Sequence, residues 1–359
     1  MSVATAAPGP PLHLHFRYMA PRLMDIRTRL PAEALAKEPG IVVTEGLSVA
    51  LRSLPASTPK LVITQRQSAG DELDWLAGSA RMIRAGWLSL MEYDDHPKLT
   101  FAVHNRTLDE AAWRHFSQFH GIQTSTEPLA KLFRAWNPEV AVFPNAVFEL
   151  PPLPPTSRGH PPRLFYGAIS RTEMGIEMMG SLAGVLAAHP EAAVAVVGDR
   201  AVFDAVPTRN KLFKGYLSFE DYNRLMAMCD ISLAPLGDDE GLECKSDAKF
   251  LDGARNGAVT IASPNVYAQT IVDGVTGFIA REPGDWARIL ASLLDDPALR
   301  ARVAANAWDY VRRERMFAYQ IPARRDWYMS LWARRHELTR KLAERAPALM
   351  AMLTAQPPR

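Results

Sequence analysis

Short apolar runs alternate with longer amphipathic segments along most of the chain. This alternation is typical of parallel strands connected by helices, so it predicts the α/β fold class. The predicted strands are residues 13–18, 41–45, 60–65, 87–93, 121–125, 140–144, 163–169, 192–198, 211–216, 231–236 and 259–263. The predicted helices are residues 71–85, 108–119, 176–188, 219–228, 246–256, 284–295 and 297–313, with a further helix start at residues 125–128.

A proline-rich segment interrupts the alternation once. Residues 151–162, PPLPPTSRGHPP, contain six prolines and predict a stiff linker. A chain of 359 residues has room for two domains on either side of it. We therefore expect two Rossmann-like domains, residues 1–150 and 163–321, facing each other across a cleft. One or two helices over residues 322–353 are expected to pack back on the first domain. An aromatic and basic strip that lies on a membrane surface is the open alternative.

Composition and charge limit the kinds of molecule that the protein is expected to bind and the compartment in which it is expected. The hydrophobic fraction of 48% and charged fraction of 22% are those of a soluble globular protein. A net charge of +2 gives no footprint for nucleic-acid binding, so no nucleic-acid partner is expected. Cys229 and Cys244 have no metal-ligand spacing and suit a reducing cytoplasm. We find no signal sequence and no membrane span, which predicts a cytoplasmic protein and leaves peripheral contact with the inner face of the membrane open.

The segment from residue 240 to residue 280 carries the clearest candidate chemistry. Ser246 suits an N-cap position, and Gly257 is placed to end the predicted helix. One face of this helix would present, at spacings of four, three and four, Lys245, Lys249, Asp252 and Asn256. Basic side chains beside a helix N-terminus favour binding of a diphosphate. A solvated face with a Lys249–Asp252 ion pair explains the same pattern.

The second half also contains an ordered set of short motifs. No G-x-G-x-x-G follows the first strand of either half, and no Walker A motif occurs. The motifs present lie at residues 165–167, 196–199, 214–216, 229–236, 245–252 and 272–277. In this order and spacing they resemble the carboxyl domain of GT-B fold glycosyltransferases, particularly the retaining family 4 type and a bacterial branch with a K-S-D-x-K-F stretch. The resemblance covers roughly residues 60–318.

The resemblance implies a hexosyltransferase-like enzyme that moves a sugar from a nucleotide sugar to a glycan, lipid-linked or protein acceptor. It implies retention of configuration, no resident metal and no cofactor beyond the nucleotide-sugar co-substrate. The donor-binding residues that it implies are Gly167, Arg171, Glu243, Lys245, Ser246, Asp247, Lys249 and Asp252. For Arg171, a solvent-exposed loop position is the alternative.

Asp94, Asp95 and His96 follow a predicted strand and are the candidate catalytic residues. In the family, a histidine at a comparable place contacts the sugar. A simple turn before Pro97 and a metal site are the alternatives. Weaker candidates, for contact with an acceptor, are Asp25, Arg27 and Arg29. A position on the polar face of a helix is expected for His115 and His120 in place of a functional role.

The chain departs from the family pattern at the donor site. An arginine and a lysine of the family correspond here to Ala168 and Met174, and the first of two paired glutamates corresponds to Cys244. The second glutamate corresponds to Asp252, a shorter carboxylate that can still accept hydroxyl hydrogen bonds. Glu243 can replace the first only with a rearranged loop. A non-catalytic GT-B partner protein and a sugar-nucleotide epimerase therefore stay open as alternatives.

Overall fold

A computed structural model describes residues 10–18, 25–50, 54–66, 72–103, 105–155, 160–169 and 171–354. The chain forms two compact units. Unit 1 is Met1–Pro144 with Phe317–Arg359, and unit 2 is Asn145–Met316. The boundaries predicted from the sequence lie at residues 150 and 321. Residues 156–159 of the predicted linker lie outside the described residues.

Unit 1 contains a six-stranded sheet in the order β2-β1-β3-β4-β5-β6, with every pair parallel. Its strands are β1 (Leu12–Arg17), β2 (Ile41–Glu45), β3 (Lys60–Gln65), β4 (Leu88–Tyr93), β5 (Gly121–Thr124) and β6 (Val140–Val142). All six predicted strands of this half are confirmed. β3 and β4 are buried on both faces, which explains their near-continuous apolar sequences.

The helices of unit 1 cover its sheet. They are α1 (Leu30–Leu35), α2 (Glu72–Arg84), α3 (Pro97–Val103), α4 (Glu110–Arg114) and α5 (Glu127–Arg134). A π-helical turn at Asp25–Arg29 precedes α1. The helix predicted at residues 108–119 is shorter, because α4 passes into a 3-10 turn at His115–Gln118. The predicted start at residues 125–128 is confirmed, since the Thr126 hydroxyl accepts from the Leu129 amide at 3.4 Å.

Unit 2 contains a second parallel sheet in the order β12-β11-β10-β7-β8-β9. Its strands are β7 (Arg163–Tyr166), β8 (Ala193–Val197), β9 (Lys211–Lys214), β10 (Ile231–Ala234), β11 (Val259–Ala262) and β12 (Phe278–Ile279). Five of the six were predicted, and the two-residue β12 was missed because it is too short to show a period. The strand order reverses between β7 and β10. In a doubly wound sheet, ligands bind at the carboxyl ends of strands at this point.

The helices of unit 2 follow its strands in alternation. They are α6 (Thr172–Ser181), α7 (Ala183–Ala188), α8 (Arg200–Ala205), α9 (Phe219–Met226), α10 (Glu240–Glu243), α11 (Ala248–Arg255), α12 (Pro264–Tyr267), α13 (Pro283–Asp295) and α14 (Pro297–Glu314). The helix predicted at residues 176–188 begins earlier and is divided at Leu182 into α6 and α7. α11 packs closely on the sheet at Gly253, where a Cβ would lie 2.6 Å from the Thr260 hydroxyl.

Three helices close the chain and belong to unit 1, namely α15 (Ile321–Ala333), α16 (Arg335–Arg345) and α17 (Pro347–Thr354). One or two helices were predicted in this segment, so the predicted number was too small. Tyr328 and Leu331 are fully buried, and the Tyr328 hydroxyl donates to Gln123 of β5 at 2.7 Å. This confirms that the final helices pack on the first domain. No helix in the described ranges is both long and apolar enough to cross a bilayer.

Candidate functional site

The helix that carries the candidate donor residues begins later than predicted. α11 starts at Ala248, so Asp247 and not Ser246 holds the N-cap position, with no side-chain capping bond. The Ser246 hydroxyl instead accepts from the Asn145 side-chain amide at 2.7 Å, a tertiary contact that local capping rules do not include. Lys245 precedes the helix, directly after α10 and Cys244, so it does not share the face of Lys249 as predicted. Gly257 has a φ of +69°, which confirms the predicted left-handed helix stop.

Lys249 and Asp252 meet at the surface of α11 beside α9. The Lys249 ammonium donates to the Tyr222 hydroxyl at 2.8 Å and lies 3.4 Å from the Asp252 carboxylate. It also lies over the Tyr222 ring, 4.6 Å from its centroid. The Lys249 side chain is 27% exposed and that of Asp252 is 14% exposed. The ion pair of the alternative interpretation is therefore present, but it is half-buried rather than a solvated surface pair.

Gly167 makes this arrangement of α9 sterically feasible. It follows β7, and a Cβ at this position would lie 2.8 Å from the Tyr222 ring and 2.5 Å from the Phe165 ring. The two rings pack edge to face, with centroids 5.1 Å apart. Only glycine leaves room for Tyr222 to lie over the carboxyl end of β7. The role that the structure gives Gly167 is thus close packing beneath the Lys249–Tyr222 contact.

Arg171 is buried, so the solvent-exposed alternative is wrong. It precedes α6, is 6% exposed, and donates to the Pro235 carbonyl at 2.9 Å and the Tyr267 hydroxyl at 3.2 Å. Pro235 directly follows β10, and Arg171 lies in the loop after β7. The guanidinium therefore joins the carboxyl ends of the two strands between which the strand order reverses.

A buried ion pair fixes the segment between Lys245 and Lys249. The Arg315 guanidinium contacts both carboxylate oxygens of Asp247, at 2.5 and 3.0 Å, and donates to the Asn145 carbonyl at 2.9 Å. The Thr270 hydroxyl donates to the same carboxylate at 2.8 Å. Although burial opposes the shift, Asp247 raises the pKa of Arg315 above its usual value. Asp247 thus anchors the start of α11, and its carboxylate is engaged within the protein.

The cluster around Lys249 carries an excess of positive charge. Burial lowers the pKa of Lys249, Asp252 opposes that shift, and the nearby charges of Arg171 and Lys245 add to it. Asp247 is paired with Arg315, and the three cations Arg171, Lys245 and Lys249 lie near the carboxylate of Asp252. A half-buried site with this imbalance is suited to an anion.

The residues near the missing family glutamate do not replace it. Glu243 ends the short helix α10 and its side chain is exposed. Cys244 follows it and is 4% exposed. A cavity of about 320 Å³ opens nearby at the carboxyl ends of β10 and β11, with Met174 and Asn265 among its lining residues. None of the predicted donor residues lines this cavity.

The candidate catalytic residues of unit 1 form a compact group after β4. Arg66 donates to Asp94 at 2.6 Å and to Asp95 at 2.9 Å, and its φ of +44° reflects a strained turn after β3. Burial opposes it, yet the two carboxylates raise the pKa of Arg66. Within the described ranges, three or more His, Cys, Asp or Glu side chains do not gather as a metal-binding group.

His96 lies next to this group and is 4% exposed. Its Nδ1 accepts from the Lys98 amide at 3.1 Å, and its ring packs edge to face on Trp113. In the neutral ring the proton is therefore on Nε2.

Several polar residues of unit 1 have structural roles that the sequence analysis missed. Arg27 is 3% exposed and donates to the buried Glu92 at 2.9 and 3.2 Å, so it does not serve as an acceptor contact. Asp25 and Arg29 pair with each other at 2.6 Å. The polar-face prediction for two histidines was wrong, since both are buried, His115 at 2% and His120 at 0% exposure.

Comparisons with known proteins add information on the fold. No protein-family description matches the sequence, and no curated protein matches it. Among solved structures, Anabaena Alr3699/HepE in complex with UDP-glucose matches with a TM-score of 0.61 at 14% identity, over 89% of this chain and 100% of that chain. Sucrose-phosphate synthase from Thermosynechococcus elongatus matches with a TM-score of 0.55 at 13% identity, over 89% of each chain.

A third similar structure is larger. S. aureus TarM, in a complex that includes UDP, matches with a TM-score of 0.52 at 10% identity, over 76% of this chain and 55% of TarM. The chain thus spans little more than half the length of TarM. Two Rossmann-like units with parallel sheets, matched by these structures, define the GT-B fold of glycosyltransferases. The predicted fold class is confirmed.

Proposed function

We propose that this protein is a glycosyltransferase that moves a sugar from a nucleoside diphosphate sugar to a glycan, lipid-linked or protein acceptor. The observation that carries the proposal is the cationic cluster of Arg171, Lys245 and Lys249 at the strand-order reversal of unit 2. The solved structures with the same fold support it, because HepE and TarM are described as complexes with UDP-glucose and UDP. UDP is therefore the first nucleotide to test.

In the proposed reaction, the main electrostatic requirement is to stabilise the negative charge that develops on the departing diphosphate. The bond between the anomeric carbon and the diphosphate oxygen breaks, a bond to the acceptor oxygen forms, and the proton of the acceptor hydroxyl passes to the departing diphosphate. Lys249 and Lys245 would neutralise the charge that develops on the diphosphate, and preorganised groups of this kind contribute a few kcal/mol each. Asp252 would accept hydrogen bonds from ribose hydroxyls. In this proposal the protein's own cations do the work of a metal.

Unit 1 supplies the acceptor side in this proposal. His96 would donate from Nε2 to a sugar hydroxyl, beside the ion pairs of Arg66 with Asp94 and Asp95. Retention of configuration follows from the resemblance to family 4. The same proposal places the protein in the cytoplasm.

Isothermal titration with UDP tests the donor site. Lys249→Met removes one charged contact to phosphate, so the dissociation constant should rise about 10- to 100-fold. Lys131→Met, at an exposed lysine of α5, is the matched control and should bind as the wild type does. Failure of UDP, GDP, ADP and dTDP all to bind would refute the proposal.

The departures at Ala168, Met174 and Cys244 favour a second candidate, a non-catalytic GT-B partner protein. Incubation with a panel of nucleotide sugars separates the two. Release of UDP or GDP that is lost in Asp252→Asn supports the enzyme. The partner protein is supported if nucleotide binds but no sugar donor is turned over, either alone or with extracts that contain acceptors. Formation of an epimerised nucleotide sugar without an acceptor indicates an epimerase.

A further inference from the structure

Unit 1 contains an apolar cavity at the edge of its sheet opposite the candidate catalytic residues. Its volume is about 510 Å³, within the usual range for ligand pockets. Gly86 and Trp87 line it and precede the amino end of β4, whereas Asp94 follows the carboxyl end of the same strand. The cavity therefore has no part in the proposed reaction.

The walls of the cavity come from α2 and the three final helices. Its apolar lining includes Ile83, Trp87, Leu88, Trp332, Ala343 and Met350. The buried Trp87 indole N–H has no hydrogen-bond partner among the described residues, which is uncommon for a buried tryptophan. A polar atom of a ligand in this cavity would supply a partner. The volume and the apolar lining favour an apolar chain.

α17 extends the apolar surface beyond the cavity. Its sequence PALMAMLT contains no charged residue, and Met350 is 42% exposed at the cavity. Arg84 of α2 holds the end of this helix by donating to the Leu353 carbonyl at 3.3 Å and to the Met352 carbonyl. An uncharged helix with exposed side chains beside an apolar cavity is a surface that favours contact with lipid.

The remaining lining residues include two arginines, Arg335 and Arg340. Arg335 lies over the Trp332 ring at 4.8 Å, and His336 and Arg340 follow it on α16. Arg340 pairs with Glu344 at 3.1 Å, but both side chains are more than 60% exposed and such a pair is weak. No carboxylate occurs among the described lining residues. The charge at the cavity thus complements an anionic head group.

We propose that this cavity binds an acyl chain of an anionic membrane lipid, with the head group at Arg335 and Arg340. Arginine recognises phosphate oxygens through paired hydrogen bonds and can give up a weak surface pair to do so. The cavity, its basic rim and α17 would together attach unit 1 to the membrane surface. This proposal does not depend on sugar transfer, since its residues are separate from those of the donor site.

Sedimentation of the full-length protein with lipid vesicles tests the role of charge. Vesicles of phosphatidylcholine containing phosphatidylglycerol should bind the protein, and pure phosphatidylcholine vesicles should bind it far less. The double variant Arg335→Glu, Arg340→Glu should lower the partition coefficient by at least about tenfold. Arg288→Glu, Arg312→Glu in unit 2 makes the same change of net charge at exposed positions and should bind as the wild type does. Equal losses in the two double variants would overturn the proposal.

A second pair of variants tests whether the chain enters the cavity. Ala343→Phe fills part of the cavity and should weaken vesicle binding, whereas Ala351→Phe at an exposed position of α17 should not. If Ala343→Phe does not fold, Met350→Glu at the exposed part of the lining replaces it. Binding that survives in the folded cavity variant contradicts the proposal. The proposal is also contradicted if the protein binds monomeric dodecyl phosphate but does not bind anionic vesicles, because the ligand would then not be a membrane lipid.

Discussion

Replacing Arg315 by methionine should loosen the start of α11 without removing any residue of the cationic cluster. The substitution keeps an unbranched side chain but removes both contacts to Asp247, at 2.5 and 3.0 Å, and the bond to the Asn145 carbonyl at 2.9 Å. Lys245 and Lys249 flank Asp247 on either side. We therefore expect an effect on local stability and, through it, on nucleotide affinity.

The magnitude follows from the burial of the pair. Arg315 is 13% exposed and Asp247 is 9% exposed, and removing one partner of a buried ion pair costs about 3–5 kcal/mol. The Thr270 hydroxyl at 2.8 Å still donates to the carboxylate, which places the expected cost at the lower end, about 3 kcal/mol. This corresponds to roughly 100-fold more frequent opening of the helix start.

Amide hydrogen exchange measures that opening directly. The amides of Phe250 and Leu251 donate to the Asp247 carbonyl at 2.9 and 3.2 Å, so their exchange reports on the first turn of α11. Arg312→Met is the matched control, because the pair that Arg312 forms with Asp309 is exposed and its loss should cost less than about 1 kcal/mol. A difference between the two variants below about 1 kcal/mol at these amides would show that the Asp247–Arg315 pair does not hold the segment.

Two further predictions follow from burial and close packing. Burial, with the charge of Arg345, lowers the pKa of His120 to about 3. As the pH falls, the unfolded chain therefore binds the proton before the folded chain does. Unit 1 should lose up to about 4 kcal/mol of stability between pH 6.5 and pH 3. Urea titrations should show a shallower loss over this range in His120→Gln, and identical pH slopes would contradict the assignment. Gly167→Ala places a Cβ 2.8 Å from the Tyr222 ring and should cost about 1–3 kcal/mol and weaken UDP binding. Thermal unfolding and UDP titration measure both effects, with Gly180→Ala as the control, since none of the surrounding atoms lies within 4 Å of a Cβ added there. Equal stability and equal UDP affinity of the two variants would contradict the prediction.

The strands could be predicted because parallel strands are buried on both faces and leave a continuous apolar run. β3 begins and ends at the predicted residues, and the equally buried β4, β10 and β11 differ by only one or two. The edge strand β2 also matches its predicted range, although only Ile41 of it is buried. β12 could not be found this way, because two residues show no period. Helix boundaries were harder to predict. The first turn of α11 follows a tertiary contact between Ser246 and Asn145, which no local capping pattern contains.

The candidate site was predicted in part. Lys249 and Asp252 were placed together by their spacing on one helix, and the structure shows them 3.4 Å apart. For Arg171, the resemblance implied donor binding and the loop position suggested solvent exposure, and only the fold shows it buried against Pro235 and Tyr267. The roles of individual donor and catalytic residues stay predictions.

The sequence by itself determined the α/β class, most of the strands and longer helices, and the residue types near the start of α11. Periodicity and local spacing carry that information, because neighbours in a strand or helix are fixed by backbone geometry. Tertiary structure decided which charges are neutralised. Arg315 reaches Asp247 across 68 positions of sequence, and Arg27 reaches Glu92 across 65. Such pairs form only when the sheets bring distant segments together, and burial then sets their strength.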